Sequence, residues 1–329
     1  MPLDSDHPAA IARRYERFAL AEARGASPAY ERLALAVAGS PNLLAFLGSL
    51  PSDRRQPNLF LAAVRHVAGV PRDGKEMEEI VRAHAPRISK VMLSRTTQTN
   101  EPARCTALLP VLTDLKGPLA LIEVGASAGL CLLPDRYGYS YGTHRIEPPS
   151  AGPTGAPIFE CTASASTPLP RRLPKIGWRL GLDIHPLDVN SPDQMAWLEM
   201  LVWPGQAHRA QNLRAAIEVA RVDPPKIRRG DLRVDFAAIA TLAPNDMRLV
   251  VYHTAVLGYI GSQSDREEFA KAVRRTGGVW ISNEVPSVFP ELARAAPPAP
   301  SPGCFLLAVD GKPVAWTGPH GQSIDWFAG

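Results

Sequence analysis

The chain has 329 residues, 45% of them hydrophobic and 21% charged, with a formal net charge of +4 from 36 basic and 32 acidic side chains. That is enough apolar material for one large or two smaller domains, and the balance of charge excludes a disordered chain. The basic residues fall in scattered pairs such as Arg13-Arg14 and Arg274-Arg275, which gives no continuous basic surface for nucleic acid. Four separated cysteines without a C-x-x-C suit free thiols in a reducing compartment, and the histidines do not pair at metal-ligand spacing, so no metal is expected. No apolar run reaches the roughly 18 residues a membrane span needs. The N-terminal segment reads as an amphipathic helix start, not a signal peptide. The expectation is a cytoplasmic protein with a small-molecule substrate and neither a nucleic-acid nor a membrane partner; its oligomeric state is left open.

Residues 8 to about 115 carry helical periodicity, as in Ile11, Tyr15 and Phe18 or Leu59, Ala62 and Val67. Pro28, Pro41, Pro51, Pro57 and Pro71 divide this stretch into short helices, because proline fits a helix only in its first turn. A helical domain or cap is expected over 1–115, followed by an α/β domain over 116–329. Short apolar runs at 118–124, 178–184, 226–229, 248–253 and 278–282 predict buried parallel strands. Ser191-Pro192 and the capping box Ser264–Glu267 predict helix starts between the later ones. Strands alternating with helices mean βαβ units. Asp310-Gly311 between two apolar runs predicts a closing antiparallel hairpin. Residues 137–175, with Tyr137, Tyr139 and Tyr141 in alternation, predict a small β-rich insertion, and 285–302 a loop with one helical turn.

Leu121-Ile-Glu-Val-Gly-Ala-Ser-Ala-Gly-Leu130 carries the most chemical information. It predicts a strand that meets a helix across Gly125 and Gly129, where glycine allows a sharp turn and close approach of a ligand to the helix N-terminus. Glu123, at the strand's end, could accept a hydrogen bond from a ligand or face its cationic group. The acidic-x-Gly-x-x-x-Gly pattern resembles the first motif of class I S-adenosylmethionine-dependent methyltransferases. It lacks the middle glycine of the dinucleotide fingerprint. The same residues also spell G-x-S-x-G, which would make Ser127 the nucleophile of a serine hydrolase. Against that stand the helical hundred residues before it and the want of a recognisable acid–histidine setting; Asp231 or Glu284 with His253 or His320 are the available partners.

Two further acids end predicted strands. Asp183 stands where a ribose-binding acid would, and Asp231 where an acid would face an adenine amino group. Asp183 lies about sixty residues beyond Gly125 instead of about twenty, which the 137–175 insertion would explain. His253 ends a buried strand and is the leading general-base candidate. Asn100 with Glu101 and Asn283 with Glu284 flank the sheet; their carboxylates could serve as general bases and their amides could orient a substrate. As ordinary cap and turn formers, the same four residues would need no function. Trp203, before Pro204, is either an aromatic clamp for a methyl acceptor or a packed helix end.

Taken whole, the sequence resembles a bacterial family, domain of unknown function 2332. The landmarks that carry the resemblance are Arg55-Gln-Pro-Asn-Leu-Phe60, Gln98-Thr-Asn-Glu101, Glu123–Leu130, Gly181–Asp188, Trp197-Leu198 with Leu201–Pro204, Arg229-Gly-Asp231, Ser282-Asn-Glu284 and Pro319-His-Gly321. His185 departs from the pattern, which has a polar amide there. The resemblance implies a Rossmann-like sheet of methyltransferase type and names no substrate. Together these readings predict S-adenosylmethionine lying across Glu123, Gly125, Ala126, Ser127, Gly129, Asp183 and Asp231, with methyl transfer to a small molecule. The alternatives are a non-catalytic relative that binds another nucleotide or a partner, and the Ser127 hydrolase.

Overall fold

The computed structural model describes residues 7–98, 100–149 and 155–328. In chain order, the first helices are α1 (Pro8–Phe18), α2 (Pro28–Gly39), α3 (Pro41–Gly48), α4 (Pro57–Ala68), α5 (Gly74–Ser94) and α6 (Cys105–Asp114). Strand β1 (Leu119–Val124) follows, then β2 (Gly138–Tyr141), β3 (His144–Ile146), β4 (Ile158–Glu160), β5 (Thr162–Ala163) and β6 (Ile176–Asp183). Next come α7 (Pro192–Met200), α8 (Ala207–Val222), β7 (Ile227–Arg229), α9 (Phe236–Ala240), β8 (Arg248–Thr254), α10 (Gln263–Arg275) and β9 (Val279–Glu284). The chain closes with α11 (Pro290–Ala295), β10 (Phe305–Val309), β11 (Lys312–Thr317) and β12 (Ser323–Trp326).

Two compact units result, and their division differs from the expected 1–115 and 116–329. The first unit is Met1–Thr99 with Asp193–Gln211; the second is Asn100–Pro192 with Asn212–Gly329. In the first unit α1 to α4 each start on a proline. Ser27 and Ser40 cap α2 and α3 by accepting the amides of Tyr30 and Leu43. Apolar stripes of these helices close on one core that includes Tyr15, Leu33, Phe60 and Met77. The 193–211 segment belongs here because Trp197 is buried in that core and donates its indole N–H to Thr96 O at 2.9 Å. Arg65 also donates to Val202 O at 2.6 Å. Helix α5 contains Pro86 and breaks its helical dihedrals at His84, as a proline inside a helix requires.

The second unit holds a nine-stranded mixed sheet in the order β5-β12-β11-β10-β9-β8-β1-β6-β7, and a three-stranded sheet β3-β2-β4. From β7 through β6, β1 and β8 to β9 all pairings are parallel. Strands β10, β11 and β12 then run as an antiparallel meander. The hairpin turn is the expected one, with Asp310 and Gly311 both at positive φ. The 137–175 insertion supplies β2 to β5, with residues 150–154 lying outside the described residues. Its three tyrosines are buried and donate their hydroxyls to Leu130 O, Pro134 O and Thr106 O, so they anchor the small sheet. The start of α10 is capped by Ser262, which accepts from Asp265 N, and not by the Ser264–Glu267 box. Among the described residues no helix is long and apolar enough to cross a membrane.

One expectation fails where it matters most. No α-helix follows the glycine turn; the chain makes a single 3-10 turn at Leu130–Leu132 and enters β2. The hydroxyl of Tyr137 draws Leu130 O away at 2.8 Å, so the segment is tied down by side chains from the insertion and does not propagate as helix.

Candidate functional site

The glycine turn sits at the C-terminal end of β1, where the strand order reverses between β6 on one side and β8 on the other. Open α/β sheets place their ligand crevice at such a point. Gly125, Ser127 and Gly129 all have positive φ, at 71°, 52° and 72°. The amides of Gly125 and Ala126 donate to Leu182 O, Ser127 N to Asp183 Oδ2 at 2.7 Å, Gly129 N to Ala126 O, and Leu130 N to Asn100 Oδ1 at 3.0 Å. A phosphate cradle needs free amides. Here those of Gly125, Ala126, Ser127 and Gly129 are spent on the protein itself, which with the missing helix disfavours a dinucleotide.

Gly125 meets a protein side chain instead of open space. A Cβ placed there would come within 2.3 Å of Val256 Cγ2, and one at Gly129 within 2.8 Å of Pro225 Cβ. Ala126 is fully buried beside this turn.

Asp183 and Asp231 differ in what holds them. Asp183 ends β6, is partly exposed, and accepts Ser127 N on one oxygen and His185 N on the other, both at 2.7 Å. A carboxylate has about four lone-pair sites, so about two remain for a ligand. Asp231 is paired with Arg233 at 2.5 Å, and that guanidinium holds its carboxyl below the usual range. Its expected task of facing an adenine amino group meets this competing partner.

His253 and Glu284 form a sealed pair. The indole of Trp280 is a donor only, so its 3.0 Å contact makes His253 Nε2 an acceptor and puts the ring proton on Nδ1. Nδ1 then donates to Glu284 Oε1 at 2.7 Å. That same oxygen accepts the amides of Val256 and Leu257 at 2.9 and 3.1 Å. With no exposed surface and both nitrogens engaged, His253 has none left to take a substrate proton. The general-base role expected of it is replaced by positioning of the 255–257 segment, where Ala255 has a positive φ of 57°.

The opposite face of the sheet gathers the remaining candidates. Glu123 is partnered in register by Tyr252, and Asn283 by Thr254, so all four side chains share one face. Arg104 donates to Thr254 O at 3.1 Å and Pro319 O at 2.9 Å. Glu101 lies 3.8 Å from His320 Nδ1. Asn283 Oδ1 accepts the hydroxyl of Thr317 at 2.8 Å. Burial pushes the Glu123 carboxyl well up; the neighbouring Cys131 and Asp183 add to this, and Arg104 opposes it. Among the described residues Glu123 Oε2, Asn283 Nδ2 and Ser127 Oγ are buried without a hydrogen-bond partner. For Ser127 this means that no serine–histidine pair is formed. Asn100 Oδ1 is engaged by Leu130 N, while Thr99 lies outside the described residues. Trp203 belongs to the first unit, where it packs against Phe18 and Tyr30 with ring centroids 5.3 and 6.1 Å away.

Arg104 and Val256 were not among the expected site residues. Arg104 could have been found three positions after Glu101 on a predicted helix start. Val256 carries no polar signal at all. Among the described residues no three of His, Cys, Asp and Glu are grouped as metal ligands.

The fold and site define a mixed α/β protein with a large, mostly parallel sheet and a buried polar cluster at the strand ends. Residues 12–326 match a family described as uncharacterized protein conserved in bacteria, domain of unknown function 2332, and the chain belongs to that family. No curated protein and no solved structure matches it.

Proposed function

We propose that the second unit binds S-adenosylmethionine and transfers its methyl group to a small molecule. The observation that carries this reading is Asp183, fixed at the end of β6 beside the reversal of strand order, with acceptor sites left for two ribose hydroxyls. The spent amides of the glycine turn support a nucleoside ligand without phosphates. Ile184, next to Asp183 and 53% exposed, supplies an apolar surface of the kind a base would cover. The bound sulfonium would supply an activated methyl group. The residues of this chain would hold the two reactants in line, and Glu101 with His320 is the pair available to take a proton from the acceptor.

The test is calorimetric titration of the protein with S-adenosylhomocysteine. A Kd near micromolar, about −8 kcal/mol, is expected, weakened about tenfold or more in Asp183→Asn. Absence of heat and of any thermal shift at millimolar ligand would overturn the reading. The non-catalytic alternative draws on the contact of Val256 with Gly125, which fills space close to the turn.

A further inference from the structure

The end of the sheet opposite the glycine turn holds a cavity that the proposed function does not use. It measures about 300 Å³, at the lower end of the range of ligand pockets, roughly 300–1,000 Å³. Two segments of the second unit form it: the last turn of α6 with the link into β1, and residues 172–175 ahead of β6. Leu119 N donates to Lys175 O at 2.8 Å, which ties the segments together where both strands begin. The link turns at Gly117 with a φ of 82°, and a Cβ built there would meet nothing within 4 Å, so this wall faces open space. The six residues of β1, at about 3.3 Å each, set the cavity roughly 20 Å from the glycine turn.

Its lining is of two kinds. Leu112, Leu115, Leu173 and Pro174 are apolar, whereas Arg172 and Lys175 are cationic and exposed. Thr113 also lines the cavity, but its hydroxyl donates to Leu109 O, which leaves the two cations as the side-chain donors at hand. Among the described residues, neither cation has an ion pair or a side-chain hydrogen bond. In sequence the cavity is flanked by one acid, Asp114, and by two more cations, Lys116 and Arg171, none of which lines it. The local balance of charge is therefore positive, and no acid of the lining neutralises it. Lysine and arginine lay their stems along apolar surface and keep their charged heads in water. An apolar floor beneath two such heads suits an anion carried on an apolar body. The carbonyls that end α6 bring partial negative charge to the same mouth, which disfavours a dianion more than a monoanion.

We propose that this cavity binds a small monocarboxylate with an apolar body, which lies on Leu112, Leu115, Leu173 and Pro174 while Arg172 and Lys175 hold its carboxylate. The site stands independently of the adenosyl reading, whose groups lie at the other end of the same two strands.

The test is calorimetric titration of the full chain with octanoate, octylammonium and acetate, each to about 10 mM. Octanoate carries both features of the expected ligand; octylammonium reverses the charge, and acetate removes the apolar body. Octanoate is expected to bind as one molecule per chain, at least tenfold tighter than either of the others. The double variant Arg172→Gln, Lys175→Gln should weaken it tenfold or more. Both side chains are exposed, so the variant should fold, which thermal denaturation verifies; Leu173→Ala gives a second disruption, aimed at the floor. No binding of octanoate overturns the site, as does binding that octylammonium or acetate matches. Uptake of several octanoate molecules per chain, or binding that neither variant changes, would show apolar adsorption elsewhere and overturns it equally. Titration with S-adenosylhomocysteine reports on the adenosyl reading alone, so the two can fail separately.

Discussion

Strand β8 separates two environments that differ in how densely their side chains are bonded to one another. On the side of His253, both ring nitrogens have a partner and one oxygen of Glu284 accepts three hydrogen bonds, while its other oxygen is buried without a partner among the described residues. Phe269 and Trp280 pack against the imidazole, with centroids 5.7 and 6.0 Å away. On the side of Tyr252 and Thr254, a carboxyl oxygen and an amide nitrogen are buried with nothing to bond among the described residues. A dense network of buried hydrogen bonds fixes geometry. Two neighbouring residues of one strand therefore make different contacts: His253 is bonded to Glu284 and Trp280, and Thr254 offers its carbonyl to Arg104.

The comparison is broken most forcefully from the side of His253. Glu284→Ala removes the acceptor of His253 Nδ1–H and of two backbone amides, and a loss of about 3 kcal/mol or more is expected in urea denaturation. A loss below about 1 kcal/mol would mean that the network is not the buttress described here.

The side of Glu123 is sharpened by pH. Because burial raises the Glu123 carboxyl in the folded state, the folded protein holds a proton that the unfolded chain releases. Stability is therefore complete below the ordinary carboxyl range and declines as pH rises from that range toward the raised value, by at most about 1.4 kcal/mol per unit. Glu123→Gln should remove this slope. Denaturation midpoints of the two proteins should diverge as the pH is raised, and parallel curves would contradict the assignment.

The smallest effect concerns the glycine turn. Ser127 holds a left-handed backbone, and its hydroxyl has no partner among the described residues. Ser127→Gly should thus be neutral or stabilising, by about 1 kcal/mol. A destabilisation of that size would show that the hydroxyl is engaged after all.

Much of the sheet was legible because its strands are short apolar runs that tolerate no other reading. The runs at 118–124 and 248–253 became β1 and β8 almost residue for residue. The hairpin was legible in Asp310-Gly311, whose residues reach positive φ easily. The missing helix was not, since G-x-x-x-G ends a strand in the same way whether a helix or a 3-10 turn comes next. What decides is Tyr137, seven residues past Leu130, and periodicity carries no trace of that hydrogen bond. Site residues were legible by type but not by role. His253 looked like a base because imidazole is the usual general base, but its environment depends on Trp280 and Glu284, which only the parallel pairing of β8 with β9 brings alongside. The return of 193–211 to the helical unit was hidden because an apolar helix face does not say which core it will join.

That return has a consequence in time. His66, Arg95 and Thr96 form the surroundings of Trp197, within the same unit. A ribosome finishes the first three long before it reaches the tryptophan. At about 5–20 residues per second, roughly 5–20 s of synthesis separates them. Through that interval the nascent helices lack a large core side chain of their own unit, and the apolar surface it covers stays bare until Trp197 arrives.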